Sequence, residues 1–406
     1  MQPQRTQEAD MGSRFQLRIT LLIACAVLLA APATAQNVTV GDDEALSIKG
    51  FINVTLFAQD QKFSFGNGSN AEFPAPPEAA TDPWFIDGDV RNSRLTLAWG
   101  GPKLENEWKL NGVMEMDFHG GFNGTGAFSD EQPTPRLRLA YLDLVKGKTT
   151  WRFGQAWSPI FGNIAQSYSH VAFPLGYGGG GQIGWRFPGI FMYRDTTGAD
   201  SKVKTKLTAA IMSNSWNGPG DNLSSGSAGE ASFGPQVELR YDWEAKSWSA
   251  YVVGHYDQKD MSGAGASAPD DSLDGTAIQV GAKWRSGKFS VQGNLYEGKA
   301  IGSLFGNITQ FADITGWGGW VQGGYDFNKR WSGYLFYGID DPDDDDVLTN
   351  VGATGRTLNS MYVASVMYNL SRYGFNVEYL HDTLESGPDG TETDGNQIAA
   401  SFIYKF

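Results

Sequence analysis

What this chain lacks narrows its class first. Its only cysteine is Cys25, so no intramolecular disulfide can form. Its four histidines, His119, His170, His255 and His381, are scattered and show no metal-ligand spacing. No long apolar run follows residue 35, and the mean hydropathy is −0.33, which excludes membrane-spanning helices. Positive charge is in short supply: 31 Lys and Arg stand against 45 Asp and Glu, a net of −14, and a nucleic-acid partner would want a basic face. No segment shows a convincing amphipathic-helix pattern.

What is present starts at the N-terminus. Arg14 and Arg18 precede an apolar stretch from Ile19 to Ala31, and Ala33-Thr34-Ala35 supplies a small-x-small cleavage site. Residues 1–35 therefore read as a secretory signal peptide, with Met11 as an alternative start and a lipoprotein signal at Cys25 as a weaker alternative. Residues 36–406 form one domain. There, apolar and polar residues alternate with a period of two. In "QVELRYDW", Val237, Leu239, Tyr241 and Trp243 oppose Glu238, Arg240 and Asp242; in "FSVQGNLY", Phe289, Val291 and Leu295 oppose Ser290, Gln292 and Asn294. Such alternation makes strands with one apolar and one polar face.

Sixteen such strands can be counted between residues 46 and 406, the second over 89–99, joined alternately by short turns and by long segments rich in Gly, Ser, Asn and Asp, the last of them over 384–394. That rhythm predicts an all-β, antiparallel up-and-down barrel with short periplasmic turns and long extracellular loops. Trp99, Trp108, Trp151, Trp243, Trp248, Trp284 and Trp331 gather near the short turns, as an aromatic girdle at a lipid boundary would. A closed sheet is what hydrocarbon demands, and sixteen strands enclose a lumen too wide for side chains to fill. The expected location is the bacterial outer membrane, in contact with its lipid and lipopolysaccharide.

The same alternation assigns a polar interior. Arg94, Arg136, Arg138, Arg152, Arg186, Arg194 and Arg240 point inward, as do Glu115, Asp117, Glu238, Asp242 and Glu378. Bases outnumber acids on this wall although the chain is acidic. The arginines can act as a ladder for anions, or Arg94, Arg136 and Arg138 can simply pair with Glu115 and Asp117. "PIFGNIAQSYSHVAFPLGYGGGG", containing 159–181, follows the fifth strand and is a candidate constriction loop. Gly176, Gly178 and Gly181 match G-x-G-x-x-G without the strand and helix a nucleotide site needs. "DDPDDDD" at 340–346 reads as a solvated acidic loop tip, with a divalent-cation contact to lipopolysaccharide as the alternative. "SYSH" at 167–170 gives sequence adjacency and not a catalytic geometry, so no enzyme activity, cofactor or metal is expected.

"RLRLAYLDLVKGKTTWRFGQAWSPIFG" (136–162), together with "RNSRLTLAWGG" (91–101) and "VMEMDFHGG" (113–121), resembles the DcaP-like trimeric porins of Gram-negative bacteria. The resemblance is best over about residues 48–195. It implies a sixteen-stranded homotrimer passing small, mainly anionic solutes such as dicarboxylates, with Arg94, Arg136, Arg138 and Arg152 at the family's inward arginine positions. Two features differ: no coiled-coil segment precedes the first strand, and the loops are strongly acidic. A plugged barrel acting through its loops as an adhesin or receptor is the competing expectation. The chain ends in "QIAASFIYKF", where Phe402, Tyr404 and Phe406 share one face; they resemble the terminal aromatic signal read by the barrel-assembly machinery.

Overall fold

Strands with one apolar and one polar face can bury neither face alone, and in the computed structural model of this protein they close into a ring. The structure describes residues 36–41, 44–64, 68, 72–75, 84–121, 133–214, 234–260 and 272–406. The expected signal peptide, with Met11 and Cys25, lies outside the described residues.

The strands run in chain order as β1 (Gln36–Gly41), β2 (Glu44–Gln59), β3 (Phe85–Asp89), β4 (Arg94–Lys103), β5 (Lys109–Asp117), β6 (Arg136–Lys146), β7 (Thr149–Trp157), β8 (Arg186–Asp195) and β9 (Lys204–Met212). They continue as β10 (Gln236–Glu244), β11 (Trp248–Asp260), β12 (Ser272–Ser286), β13 (Phe289–Lys299), β14 (Thr315–Asp326), β15 (Trp331–Pro342), β16 (Arg356–Leu370), β17 (Tyr373–Ser386) and β18 (Thr391–Lys405). Each pairs antiparallel with the next from β4 onward, and β18 returns to pair with β2, from Gln397↔Gln59 to Lys405↔Phe51. β3 and β4 both pair with β2 and make one stave, and β1 folds back on β2 beyond the end of β18. The result is the closed sixteen-strand barrel that the alternation predicts.

The two faces separate as read. Val237, Leu239, Val291 and Leu295 are exposed on the outside, while Glu238 and Asn294 are buried inside. Outward apolar residues recur around the ring, Leu335 being 70% exposed. A continuous apolar exterior of this kind is far larger than water tolerates and suits hydrocarbon. Trp151, Trp248, Trp284 and Trp331 stand exposed next to short turns, where a girdle belongs.

Four sequence expectations need correction. The second strand is broken at residues 90–93, because Asn92 turns inward to bond the segment after β7. The expected long loop over 384–394 is a tight turn, since β17 and β18 pair out to Ser386↔Thr391. The acidic run is a solvated tip only in part: Asp343, Asp344 and Asp345 are exposed, but Asp340 is fully buried and accepts bonds from the Tyr296 hydroxyl (2.6 Å) and the Ile308 amide (3.1 Å). Asp343 caps a short helix, α1 (Asp344–Asn350), accepting from the Asp346 amide, as an N-cap carboxylate does. Arg194 is outward: its stave partner is Thr149, on the face of Trp151 and Met192, and it donates to Thr149.

The terminal residue sits on the closing seam. Phe406 and Gly50 exchange backbone hydrogen bonds of 3.0 and 3.2 Å. The Phe406 ring lies over Gly50, where a Cβ would stand 2.8 Å from it. Deleting Phe406 removes both bonds, about 2 kcal/mol at about 1 kcal/mol each, and opens the lipid-facing end of the seam. The expected outcome is a lower folded fraction, measured by the heat-dependent gel shift of extracted barrels; an unchanged fraction would show that the seam does not need it.

Candidate pore site

The lumen is not empty. After β7 the chain turns inward, and residues 158–185 run across the barrel, bonding to inward side chains as they go. The Ile160 amide donates to Glu238 (2.7 Å), and the Arg240 guanidinium donates to the Pro159 carbonyl (2.9 Å). Asn163 donates to the carbonyls of Ala282 and Gly293 (both 3.0 Å), and the Gln166 amide donates to Gln322 (2.7 Å). Tyr168 bonds Asn369, Ser169 meets Ser401 (3.0 Å), and His170 meets Glu378 (2.7 Å). On the return, Gln182 accepts from the Trp320 indole (2.8 Å). The segment thus touches staves from β10 round to β18 and β4. Buried backbone groups need such partners, and inward Glu238, Arg240 and Gln322 supply them.

Gly181 explains why this path needs its glycines. Its φ is +79°, and a Cβ there would stand 2.2 Å from the Gly319 amide nitrogen of β14. Only glycine allows both the left-handed backbone and that approach.

Against the return of this segment stands the arginine cluster. Arg138 donates to Glu115 (2.9 Å) and Asp117 (2.7 Å), while Arg136 grips Asp117 with two bonds of 3.0 and 2.7 Å. Arg94 lies 3.7 Å from Glu115, and its Nη2 donates to the Val171 carbonyl (3.3 Å). The structural pairing anticipated for these arginines is therefore present, but three guanidinium groups share two carboxylates. Arg186 adds a fourth. It is 1% exposed, its Nε and Nη1 have no hydrogen-bond partner among the described residues, and it packs on the indoles of Trp157 (4.8 Å) and Trp185 (4.2 Å). Arg136 lies over Phe173 and Arg138 over Trp157. Such stacking is favourable for a delocalised cation and leaves part of its charge unneutralised.

The remaining site residues lie elsewhere. Arg152 pairs with Asp143 through bonds of 2.8 and 2.9 Å and packs on Tyr141. Arg240 pairs with Asp242 (2.8 Å). Arg240 helps to line a chamber of about 1160 Å³ at the short-turn end, with Lys206, Lys283, Gln292 and Gln322, floored by Asn163 and Gln166. Phe402, Tyr404 and Phe406 stand on the outward face of the last stave, near Arg94 in register (Lys405 pairs with Phe51, and Phe51 with Arg94) but on the lipid side of the wall.

Asp143, Lys206 and the aromatic stack were not singled out in the sequence. A bulge hides Asp143: the β5–β6 register shifts between Glu115 and Met116, so Arg136 and Arg138 face inward at even positions and Tyr141 and Asp143 at odd ones. The aromatic stack did leave a signal, since Trp157, Phe161, Phe173, Tyr177 and Trp185 crowd one segment beside two arginines.

No protein-family model matches the chain, and no curated protein matches it in sequence. Solved structures do match its fold. The outer membrane channel DcaP of Acinetobacter baumannii aligns over 91% of this chain and 99% of its own, with a TM-score of 0.71 at 17% identity. The anion-selective porin from Comamonas acidovorans aligns over 89% and 100%, with a TM-score of 0.59 at 12% identity. A trimer form of OmpT, an outer membrane protein of Vibrio cholerae, aligns over 90% and 100%, with a TM-score of 0.56 at 14% identity. The chain therefore has a porin-type barrel fold, and its shape is similar to that of a DcaP channel.

Where an extracellular loop meets the inward segment, Glu72 is buried, with no partner for its Oε1 among the described residues; a Cβ on Gly178 would touch its carboxyl carbon at 2.6 Å. Burial pushes this carboxyl up to about 8, against the opposing pull of Arg356. Raised above its unfolded value, the group stabilises this packing most below about 4.5 and loses that contribution as pH rises through about 8. Hydrogen-exchange protection around Phe73 and Gly178–Gly179 is expected to fall between pH 6 and 9. Glu72→Gln should keep protection flat across that range.

Proposed function

We propose that this chain is an outer-membrane porin, a passive diffusion channel for small hydrophilic solutes with a preference for anions of dicarboxylate size. The observation that carries the reading is a closed barrel, apolar outside, whose lumen holds an inward segment and, against its return, a cluster of four arginines around the two carboxylates of Glu115 and Asp117. The inward segment acts as the constriction and sets the size limit. Arg94 and Arg136 are partly exposed, so a carboxylate passing them can exchange hydration for guanidinium contacts. The short-turn chamber, lined by Lys148, Lys204, Lys206, Arg240, Lys283 and Arg285 against Asp195, Asp242 and Glu244, extends the same bias. The DcaP channel and the anion-selective porin support this reading by likeness of fold, and the trimer form of OmpT supports assembly as a homotrimer. Phe402, Tyr404 and Phe406 serve as the signal for the barrel-assembly machinery.

A second reading has an observation of its own. The inward segment bonds to staves around most of the ring, which suits a plug, and the protein would then act through its loops. Planar-bilayer recordings separate the two: a porin gives steady conductance, a plugged barrel next to none.

Under a salt gradient, the reversal potential should show anion preference. Arg136→Ala with Arg138→Ala leaves Glu115 and Asp117 without those two partners, so the preference should fall to neutral or turn toward cations. Cation selectivity of the unaltered protein, unchanged in the double variant, would contradict the anion claim.

A further inference from the structure

The outer wall is not evenly covered. Across β13–β17, beside the short turns, lies an apolar groove of about 940 Å³. Gly323 and Ala364 leave its floor low, and Phe289, Tyr325, Phe327 and Leu335 stand around it. These residues are on the outward face, where neighbouring staves carry large apolar side chains. At Gly323 a Cβ would meet nothing within 4 Å, so the hollow is open on the lipid side.

The turns directly below it are basic in an otherwise acidic chain. They carry Lys288, Lys329, Arg330 and Arg372, and the one acid near them, Asp326, is already bonded to Arg285. Lys288 ties the two features together: its Nζ lies 5.8 Å from the Tyr325 ring and donates to the Phe327 carbonyl (3.2 Å), both residues at the groove mouth. An acyl-sized hollow ending at a row of exposed cations matches a molecule with an apolar chain and an anionic head.

We propose that this groove binds an anionic glycerophospholipid of the periplasmic leaflet, with its acyl chain over Gly323 and Ala364 and its phosphate against Lys288, Lys329 and Arg330. The inference rests on the reading of the barrel as an outer-membrane protein, but it does not depend on conduction or selectivity. A second copy of the chain is the rival occupant. The charge argues for lipid, because a phosphate neutralises the basic rim that the turns leave unmatched.

The test is native mass spectrometry of the full-length protein in detergent, titrated with dioleoyl phosphatidylglycerol or dioleoyl phosphatidylcholine. Phosphatidylglycerol should be retained preferentially. Gly323→Trp, which fills the hollow, and the triple variant Lys288→Gln, Lys329→Gln, Arg330→Gln should each weaken that retention about tenfold, with the oligomeric state unchanged. The triple variant alters only turn residues, so it decides the matter even if Gly323→Trp fails to fold. Equal retention of the two lipids, or full retention by the triple variant, would overturn the proposal. So would loss of oligomers in Gly323→Trp with lipid retention intact, which would assign the groove to a second copy. Conductance recorded separately reports on the porin reading, so the two can fail independently.

Discussion

Backbone pairing is the constraint on which the whole structure depends. In hydrocarbon an unpaired amide or carbonyl costs several kcal/mol, so a sheet must close. Here closure is made by β18 against β2, and the last residue of the chain completes the seam with Gly50. Closure fixes everything that follows. Once sixteen staves form a ring, alternate residues are committed to lipid or lumen, and a one-residue slip would exchange them. The polar residues that read as one face of each strand become a continuous wall.

A ring of this size leaves space that the inward segment occupies. Its route is set by inward side chains: Glu238, Asn294 and Gln322 accept from its backbone amides, while Ser401 and Glu378 bond the side chains of Ser169 and His170. The same wall that would bind water in an open barrel here holds a strap. Where the strap returns, its Phe173 and Trp185, together with Trp157 at the end of β7, cover the arginines of β6 and β8. Fold and lumen charge are thus linked: the indoles of Trp157 and Trp185 also cover Arg186 and shield it from water.

Much of this was legible in the sequence because period-two alternation is local. The faces of β10, β13 and β18 follow directly from their residues, and the count of staves follows from the turns. What escaped depends on long-range pairing. The bulge on β6 flips the inward set halfway along the strand, concealing Asp143. β8 begins inside the lumen, so Arg186 is inside although Phe187, Phe191 and Tyr193 define the inward side of the same strand; a single parity for the strand misplaces Arg194. Asp340 read as part of a charge run because nothing nearby in sequence foretells Tyr296 or Ile308 as its partners.

The central claim is that residues 158–185 cross the lumen and stay bonded to the far wall while solutes pass. Disulfide trapping tests it directly, because Cys25 is the chain's only thiol and the Ser169 and Ser401 oxygens are 3.0 Å apart. With Ser169→Cys and Ser401→Cys, mild oxidation should give a rapid intramolecular bond, visible as a shifted denatured band, with single-channel conductance kept at the unaltered level. Failure to cross-link in folded barrels, or a conductance that falls sharply when the bond forms, would contradict the account.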